Sequence, residues 1–295
     1  MFFTLARFLF LAVNKKEIRQ EIFLSLVEFH STIYHCVLSL HLIKSKQYLA
    51  FYNFDIERCW DKTPFDSISQ KGRHMKLAVI SDLHGNYYAL AKVLAFLRSQ
   101  EIDGIIGLGD FVTDGPFPQR MMRVLREMQE EFPCYLVRGN REEYLLENIR
   151  HPQNWKAGSS TSGLLDYTFR NLTGQDLEFF EHLPTDGVLV GKINESGRLI
   201  PVFVPQEEIT PDTCRESLFP ALRLCHGAPG ELRGNFGLHP ELLLSHLKNL
   251  DAAILLGGHS HKQEQREYAE KTYLNPGSLR SEEHTSELQS RRRIS

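Results

Sequence analysis

The chain has 295 residues, enough for one large domain or two small ones with an ample core. An apolar fraction of 42% and a charged fraction of 24% are ordinary for a globular protein, and a net charge of −3 gives no support to nonspecific nucleic-acid binding. Five cysteines (Cys36, Cys59, Cys134, Cys214 and Cys225) form neither a CxxC pair nor a dense framework, so they read as reduced thiols of a cytoplasmic protein.

Residues 1–74 look unlike the rest. They hold no glycine before Gly72 and a single proline, Pro64, with phenylalanine crowded among them. A compact α/β domain of that length needs several glycines for its turns. Phe2 to Val13 resembles the apolar part of a signal peptide, yet Arg7 interrupts it, no positive region precedes it, and it is too short to span a bilayer. No membrane span is expected. Glu21 to Leu49 allows one or two amphipathic helices. The favoured reading is an N-terminal extension translated from upstream DNA, with the domain proper starting at Met75.

Leu77 to Ile80 is a short apolar run of the kind found in a strand covered on both faces. Asp82 and His84 follow at its carboxyl end. A helix pattern then recurs through Tyr88, Leu90, Ala91, Leu94 and Leu97. Ligands of open α/β sheets gather outside the carboxyl ends of strands. Ile102 to Leu108 predicts a second strand ending in Gly109-Asp110, where glycine permits the tight turn that projects the carboxylate. Gln119 to Glu131 predicts a helix. Tyr135 to Val137 predicts a third strand, ending in Gly139-Asn140. One such polar strand end is weak by itself; three in succession are a pattern.

The chain turns polar between His151 and Ser162. Thr173 to Asp176 predicts an N-cap opening a short helix through His182. Val188 to Ile193 and Leu199 to Val204 predict a hairpin around Asn194 to Gly197. Val204 to Glu216 carries no clear pattern. Leu222 to Cys225 predicts a strand closing with His226-Gly227, Pro240 to Lys248 a helix, and Ala252 to Leu256 a strand followed by Gly257-Gly-His-Ser-His261. Gln265 to Tyr268 and Thr272 to Leu274 predict a last hairpin, running into Asn275-Pro-Gly-Ser278.

The ordered set Asp82-x-His84, Gly109-Asp110, Gly139-Asn140, His226-Gly227 and Gly258-His259-Ser-His261 resembles the calcineurin-like metallophosphoesterase superfamily over about Lys76 to Ser278. The resemblance implies an α/β fold, a four-layer α/β/β/α sandwich, with two divalent metal ions at the strand ends. One ion would take Asp82, His84 and His261. The other would take Asn140, His226 and His259, with Asp110 bridging. Mixed carboxylate and imidazole ligands suit Mn²⁺ first, with Fe or Zn²⁺ next, over Mg²⁺ or Ca²⁺. Two such ions about 3.5–4 Å apart acidify a bridging water and clamp an in-line displacement. Catalysis would rest on Asp110, Asn140 and Arg141, and substrate binding on Arg141 and Asn86.

Asp82-Leu-His-Gly-Asn and Arg138-Gly-Asn-Arg-Glu142 look like serine/threonine protein phosphatases, but Thr113-Asp114-Gly115 stands where those enzymes carry Asp-Arg-Gly. Gly109 to Pro118, the double-histidine motif and Leu274 to Ser278 look instead like the small bacterial phosphodiesterases. The expected reaction is hydrolysis of a phosphodiester, pyrophosphate or phosphomonoester in a small substrate or a phosphoprotein. The alternatives are a protein phosphatase or a non-catalytic protein-binding scaffold of the same fold. Family members usually carry histidine where this chain has Arg141, so His239 or a water would have to supply any proton. Arg141 could also turn outward to pair with Glu142 or Glu143. Arg280 to Ser290 looks like a translated sequencing adapter; the expectation is a domain over 75–280 that has lost its natural end and an artefactual tail over 281–295, with no role for His284.

Overall fold

The computed structural model describes residues 22–30, 35–43, 50–57, 74–152 and 160–279. The apolar stretch Phe2 to Val13 and the adapter-like tail 281–295 lie outside the described residues.

Two six-stranded sheets form the centre. In the first, β1 (Ile22–His30), β2 (His35–Ile43) and β3 (Ala50–Glu57) run antiparallel and join the free edge of β4 (His74–Ile80). Strands stand here where the sequence also allowed amphipathic helices. Ile22-Phe-Leu-Ser-Leu-Val-Glu-Phe-His30 is rich in aromatic and β-branched residues, which suit a pleated surface. Strands β4, β5 (Gly104–Gly107) and β6 (Cys134–Leu136) are parallel, so all three carboxyl ends emerge on one side.

The second sheet has the order β11-β12-β10-β9-β7-β8. Its members are β7 (Asp186–Ile193), β8 (Leu199–Pro205), β9 (Leu222–Cys225), β10 (Ile254–Leu256), β11 (Gln263–Tyr268) and β12 (Lys271–Pro276). The expected β7–β8 hairpin forms with Ile193 opposite Leu199. The stretch after β8 that carried no pattern is a single 3-10 turn, Gln206–Glu208, followed by irregular chain.

Successive side chains along a strand point to opposite faces, and this splits each apolar run between two cores. Leu77, Val79, Ile106 and Leu108 face the second sheet, meeting Leu189, Leu224, Leu256 and Leu274. Ala78, Ile80 and Ile105 face the helices on the first sheet's outer side. There lie α1 (Tyr87–Leu97), α2 (Pro118–Glu131), α3 (Asn140–Arg150), α4 (Ser160–Arg170) and α5 (Gly174–His182). On the far side α6 (Pro240–Lys248) packs Leu243 and Leu247 over Cys225, Leu255 and Tyr273. The result is the helix–sheet–sheet–helix sandwich that the resemblance implied.

The helices depart from expectation in two places. The buried face of α1 is Ala89, Leu90, Val93, Leu94 and Leu97; Tyr88 and Ala91, expected on that face, are exposed. Helices α3 and α4 were not anticipated, because their apolar residues are sparse and mixed with Asn, Glu, Ser and Thr. The capping box of α5 is as expected: Thr173 accepts the Asp176 N–H and Asp176 accepts that of Thr173.

Candidate metal centre

The carboxyl ends of β4, β5, β9 and β10 converge, and the chain makes a sharp turn at each of the first two and the last. Asp82, His84, Asp110, His259 and His261 all sit at positive φ, between 44° and 62°. Non-glycine residues seldom adopt that conformation, and its clustering marks a site whose surroundings over-determine it. The turns are tied together. Asp82 and His84 donate their backbone N–H to Gly109 and Asp110 carbonyls at 3.1 and 2.9 Å. Gly109, at φ +89°, has to be glycine, since a Cβ there would lie 2.4 Å from the Gly139 nitrogen.

Two groups of ligand atoms, each within 4.8 Å of one another, result: Asp82, His84 and His261, and Asp82, Asp110 and His226. His84 Nε2 lies 3.0 Å from His261 Nε2, 3.8 Å from Asp82 Oδ1 and 3.7 Å from Asp110 Oδ2. His261 Nε2 is 3.3 Å from Asp82 Oδ1, and His226 Nε2 is 3.5 Å from Asp110 Oδ2 and 3.0 Å from Asn140 Oδ1. His226 Nδ1 donates to the Leu108 carbonyl at 2.7 Å, which fixes the ring and turns Nε2 inward. His259 stands outside both tight groups. Its backbone N–H donates to Asp82 Oδ2 at 3.0 Å, and its ring centroid lies 5.2 Å from that of His226.

The residues fit a metal. Asp82 Oδ1 is buried and makes no well-aligned hydrogen bond, the ring nitrogens of His261 and His84 lying 3.3 and 3.8 Å away, whereas its other oxygen accepts from Ser81 Oγ and the His259 N–H. An orphaned carboxylate oxygen is costly unless a cation completes it. Burial opposes charge on Asp110, but His226, His84 and the Arg141 N–H outweigh it and hold that carboxyl below the ordinary range. Burial likewise opposes a proton on His226, yet Asp110 beside it lifts the imidazole to about 10. For His259 burial comes first and the neighbouring His226 second, and both push the imidazole down. The pocket therefore demands positive charge, which a bound cation supplies in place of a proton.

Arg141 does not turn outward. Its Nη2 lies 3.1 Å from Asp114 Oδ2, and that carboxylate oxygen is also 3.3 Å from His84 Nδ1. Glu143 is occupied by Arg138 and Arg150 instead. Glu142 is fully buried and accepts three backbone N–H groups, from Asp110, Phe111 and Gly139, at 2.7 to 2.9 Å. Burial first and the Asp110 charge second hold its carboxyl above the ordinary range, against the pull of the Gly139 and Phe111 N–H groups. Sequence reasoning gave neither Asp114 nor Glu142 a place in the site. For Glu142 a signal existed, an acidic residue three positions after Gly139 at a helix start.

Two expected residues have other duties. Asn86 caps α1 by accepting the Ala89 N–H at 3.1 Å and donates to the Leu279 carbonyl at 2.9 Å, so both polar ends of its amide are engaged. His239 is exposed at the head of α6, its ring 3.3 Å from Glu241. A cavity of about 410 Å³ is lined by Arg138 and Ala228, each two residues from a site residue, together with Asp186, Glu231 and Arg233.

Residues 75–263 match the family model described as calcineurin-like phosphoesterase. Among solved structures, a hypothetical protein from Pyrococcus horikoshii OT3 aligns at 15% identity and a TM-score of 0.51, covering 69% of this chain and 76% of its own. A metallophosphoesterase from Sphaerobacter thermophilus aligns at 19% identity and a TM-score of 0.46, with 70% and 76% covered. A phosphoesterase from E. coli aligns at 18% identity and 0.34, with 70% and 80% covered. A search of curated proteins finds no match. No helix among the described residues is long and apolar enough to cross a membrane.

Proposed function

The chain belongs to the calcineurin-like phosphoesterase family of metal-dependent phosphoric ester hydrolases, and from that premise we propose that it hydrolyses a phosphodiester or pyrophosphate bond with two bound divalent ions. The observation that supports this most is the orphaned Asp82 Oδ1, enclosed by the Nε2 atoms of His84 and His261. Asp82, His84 and His261 would hold one ion, and Asn140, His226 and His259 the other, with Asp110 shared. When bound, the ions supply an acidified water as nucleophile and positive charge for the phosphoryl oxygens. The mixed carboxylate and imidazole set favours Mn²⁺, with Fe and Zn²⁺ next.

The chain's own part is positioning. Glu142 and the Arg141 N–H grip Asp110 from behind, and the Leu108 carbonyl aims His226. Arg141 presents a planar fork able to bind phosphoryl oxygens and to stabilise charge that develops on them. A guanidinium donates hydrogen bonds and does not act as a general acid, so it gives no proton to a leaving group. That directs the enzyme toward leaving groups that need none, such as a phosphate or a phenolate. All seven expected ligand positions are filled, which weighs against a scaffold with a degraded site. We place the enzyme in the cytoplasm, acting on a small phosphorylated substrate.

The test is a panel of phosphomonoesters, diesters, cyclic nucleotides, dinucleoside polyphosphates and phosphopeptides offered to Mn²⁺-loaded protein. Turnover of diesters or pyrophosphates with slow release from phosphoserine peptides supports the proposal. No turnover of any substrate with any of the three metals overturns it.

A further inference from the structure

Asp114 belongs to none of the expected ligand groups, yet it is buried between two of the site's working residues. Its carboxylate is 1% exposed, and one oxygen faces both Arg141 Nη2 at 3.1 Å and His84 Nδ1 at 3.3 Å. The loop that carries it is pinned. Gly85 and Gly115 touch so closely that a Cβ on either would come within 2.7 Å of the other's backbone, and the Gly85 N–H donates to the Phe111 carbonyl at 2.8 Å. Asp114 itself is held at φ +69°. Its place is therefore built into the fold rather than reached by a mobile side chain.

We propose that Asp114 is a specificity-determining residue, one that makes the site favour singly charged phosphoryl centres, diesters and pyrophosphate linkages, over dianionic phosphomonoesters. This deepens the phosphoesterase reading above and rests on it. An unopposed arginine beside two divalent ions draws a dianion most strongly. Here a buried carboxylate offsets that guanidinium. A phosphoryl oxygen hydrogen-bonded to Arg141 Nη2 lies within about 6 Å of Asp114 Oδ2, since a hydrogen bond adds about 3 Å to the measured 3.1 Å. At that range, in a partly buried site, one extra negative charge on the substrate is worth about tenfold or more in affinity. A monoester carries that charge at pH 8, because its second ionisation falls near pH 6; a diester does not.

The experiment compares p-nitrophenyl phosphate with bis(p-nitrophenyl) phosphate at pH 8; the leaving group is constant, the charge differs, and the bulk of the second aryl group cancels when each variant's ratio is divided by that of the wild type. Asp114→Asn removes the charge while keeping size and an acceptor oxygen. It should raise the monoester-to-diester ratio of kcat/KM about tenfold. Calorimetric binding of inorganic phosphate to the Mn²⁺-loaded protein should tighten in parallel. Arg141→Gln removes the cation that Asp114 offsets, should move both readouts the opposite way, and serves as a second variant should Asp114→Asn fail to fold or to load metal, as judged by metal content. A ratio and a phosphate affinity unchanged within twofold in folded, metal-loaded Asp114→Asn, or in Arg141→Gln where the Asp114 variant does not load metal, overturn the proposal. Hydrolysis of neither ester by the loaded wild type overturns the phosphoesterase reading instead, and phosphate binding still decides the role of Asp114.

Discussion

The carboxylate of Glu142 accepts the backbone N–H of Asp110 at 2.8 Å, and so a residue of α3 fixes the turn that follows β5. Its two oxygens also take the Phe111 and Gly139 N–H groups. Glu142→Gln places an amide N–H₂ against at least one of these donors. A buried donor left without an acceptor costs about 1–3 kcal/mol. The variant should lose stability by that amount in chemical denaturation and should bind metal more weakly, as Asp110 shifts. Wild-type stability together with wild-type metal content would contradict the role assigned to Glu142.

Asp110 Oδ2 lies 3.7 Å from His84 Nε2 and 3.5 Å from His226 Nε2, and it is the residue we propose as a ligand shared by two ions. Asp110→Asn removes the charge that this proposal assigns to both ions. Metal content should fall, and turnover should fall by orders of magnitude. Glu130→Gln on the exposed side of α2 should change stability by less than about 0.5 kcal/mol and leave metal content unchanged. Metal analysis after chelation and reloading checks both; full activity of Asp110→Asn would remove the case for a shared ligand.

Arg141 faces the site with 19% of its side chain exposed. Arg141→His introduces a group that titrates near neutrality and can protonate an alkoxide. The steepness with which rate depends on leaving-group pKa should therefore lessen in this variant. Arg141→Ala should slow all substrates. The measurement is kcat/KM across a series of aryl and alkyl esters, and identical slopes in wild type and Arg141→His would refute a leaving-group role.

Burial pushes the Cys134 thiol up to about 12, and burial likewise raises that of Cys225. A thiol raised in the folded state stays protonated while its unfolded counterpart ionises near 9, so its contribution to stability is intact below about pH 9 and is lost as pH rises toward 12. Only the thiolate is a good nucleophile. Iodoacetamide at pH 8 should leave the Cys134 and Cys225 peptides unmodified in native protein and label both in urea. Rapid native labelling of Cys134 would refute this.

What the sequence determined is a set of candidate ligands and the elements that carry them. Asp82, His84, Asp110 and Asn140 were legible because each falls within a few residues of an apolar run, so a local pattern places it at a strand's carboxyl end. The strands, the hairpin and the α5 cap were legible for the same reason, since periodicity and capping are properties of neighbouring residues. Helices α3 and α4 were not, because tertiary packing stabilises their weakly patterned segments. Only the tertiary structure decided the surroundings of the ligands. Asp114 meets His84 from thirty positions along the chain, and Glu142 meets Asp110 from thirty-two. No local pattern encodes such a meeting: it arises when parallel strands bring separate turns to one end of a sheet, and burial then makes each contact strong enough to set the geometry and charge of the site.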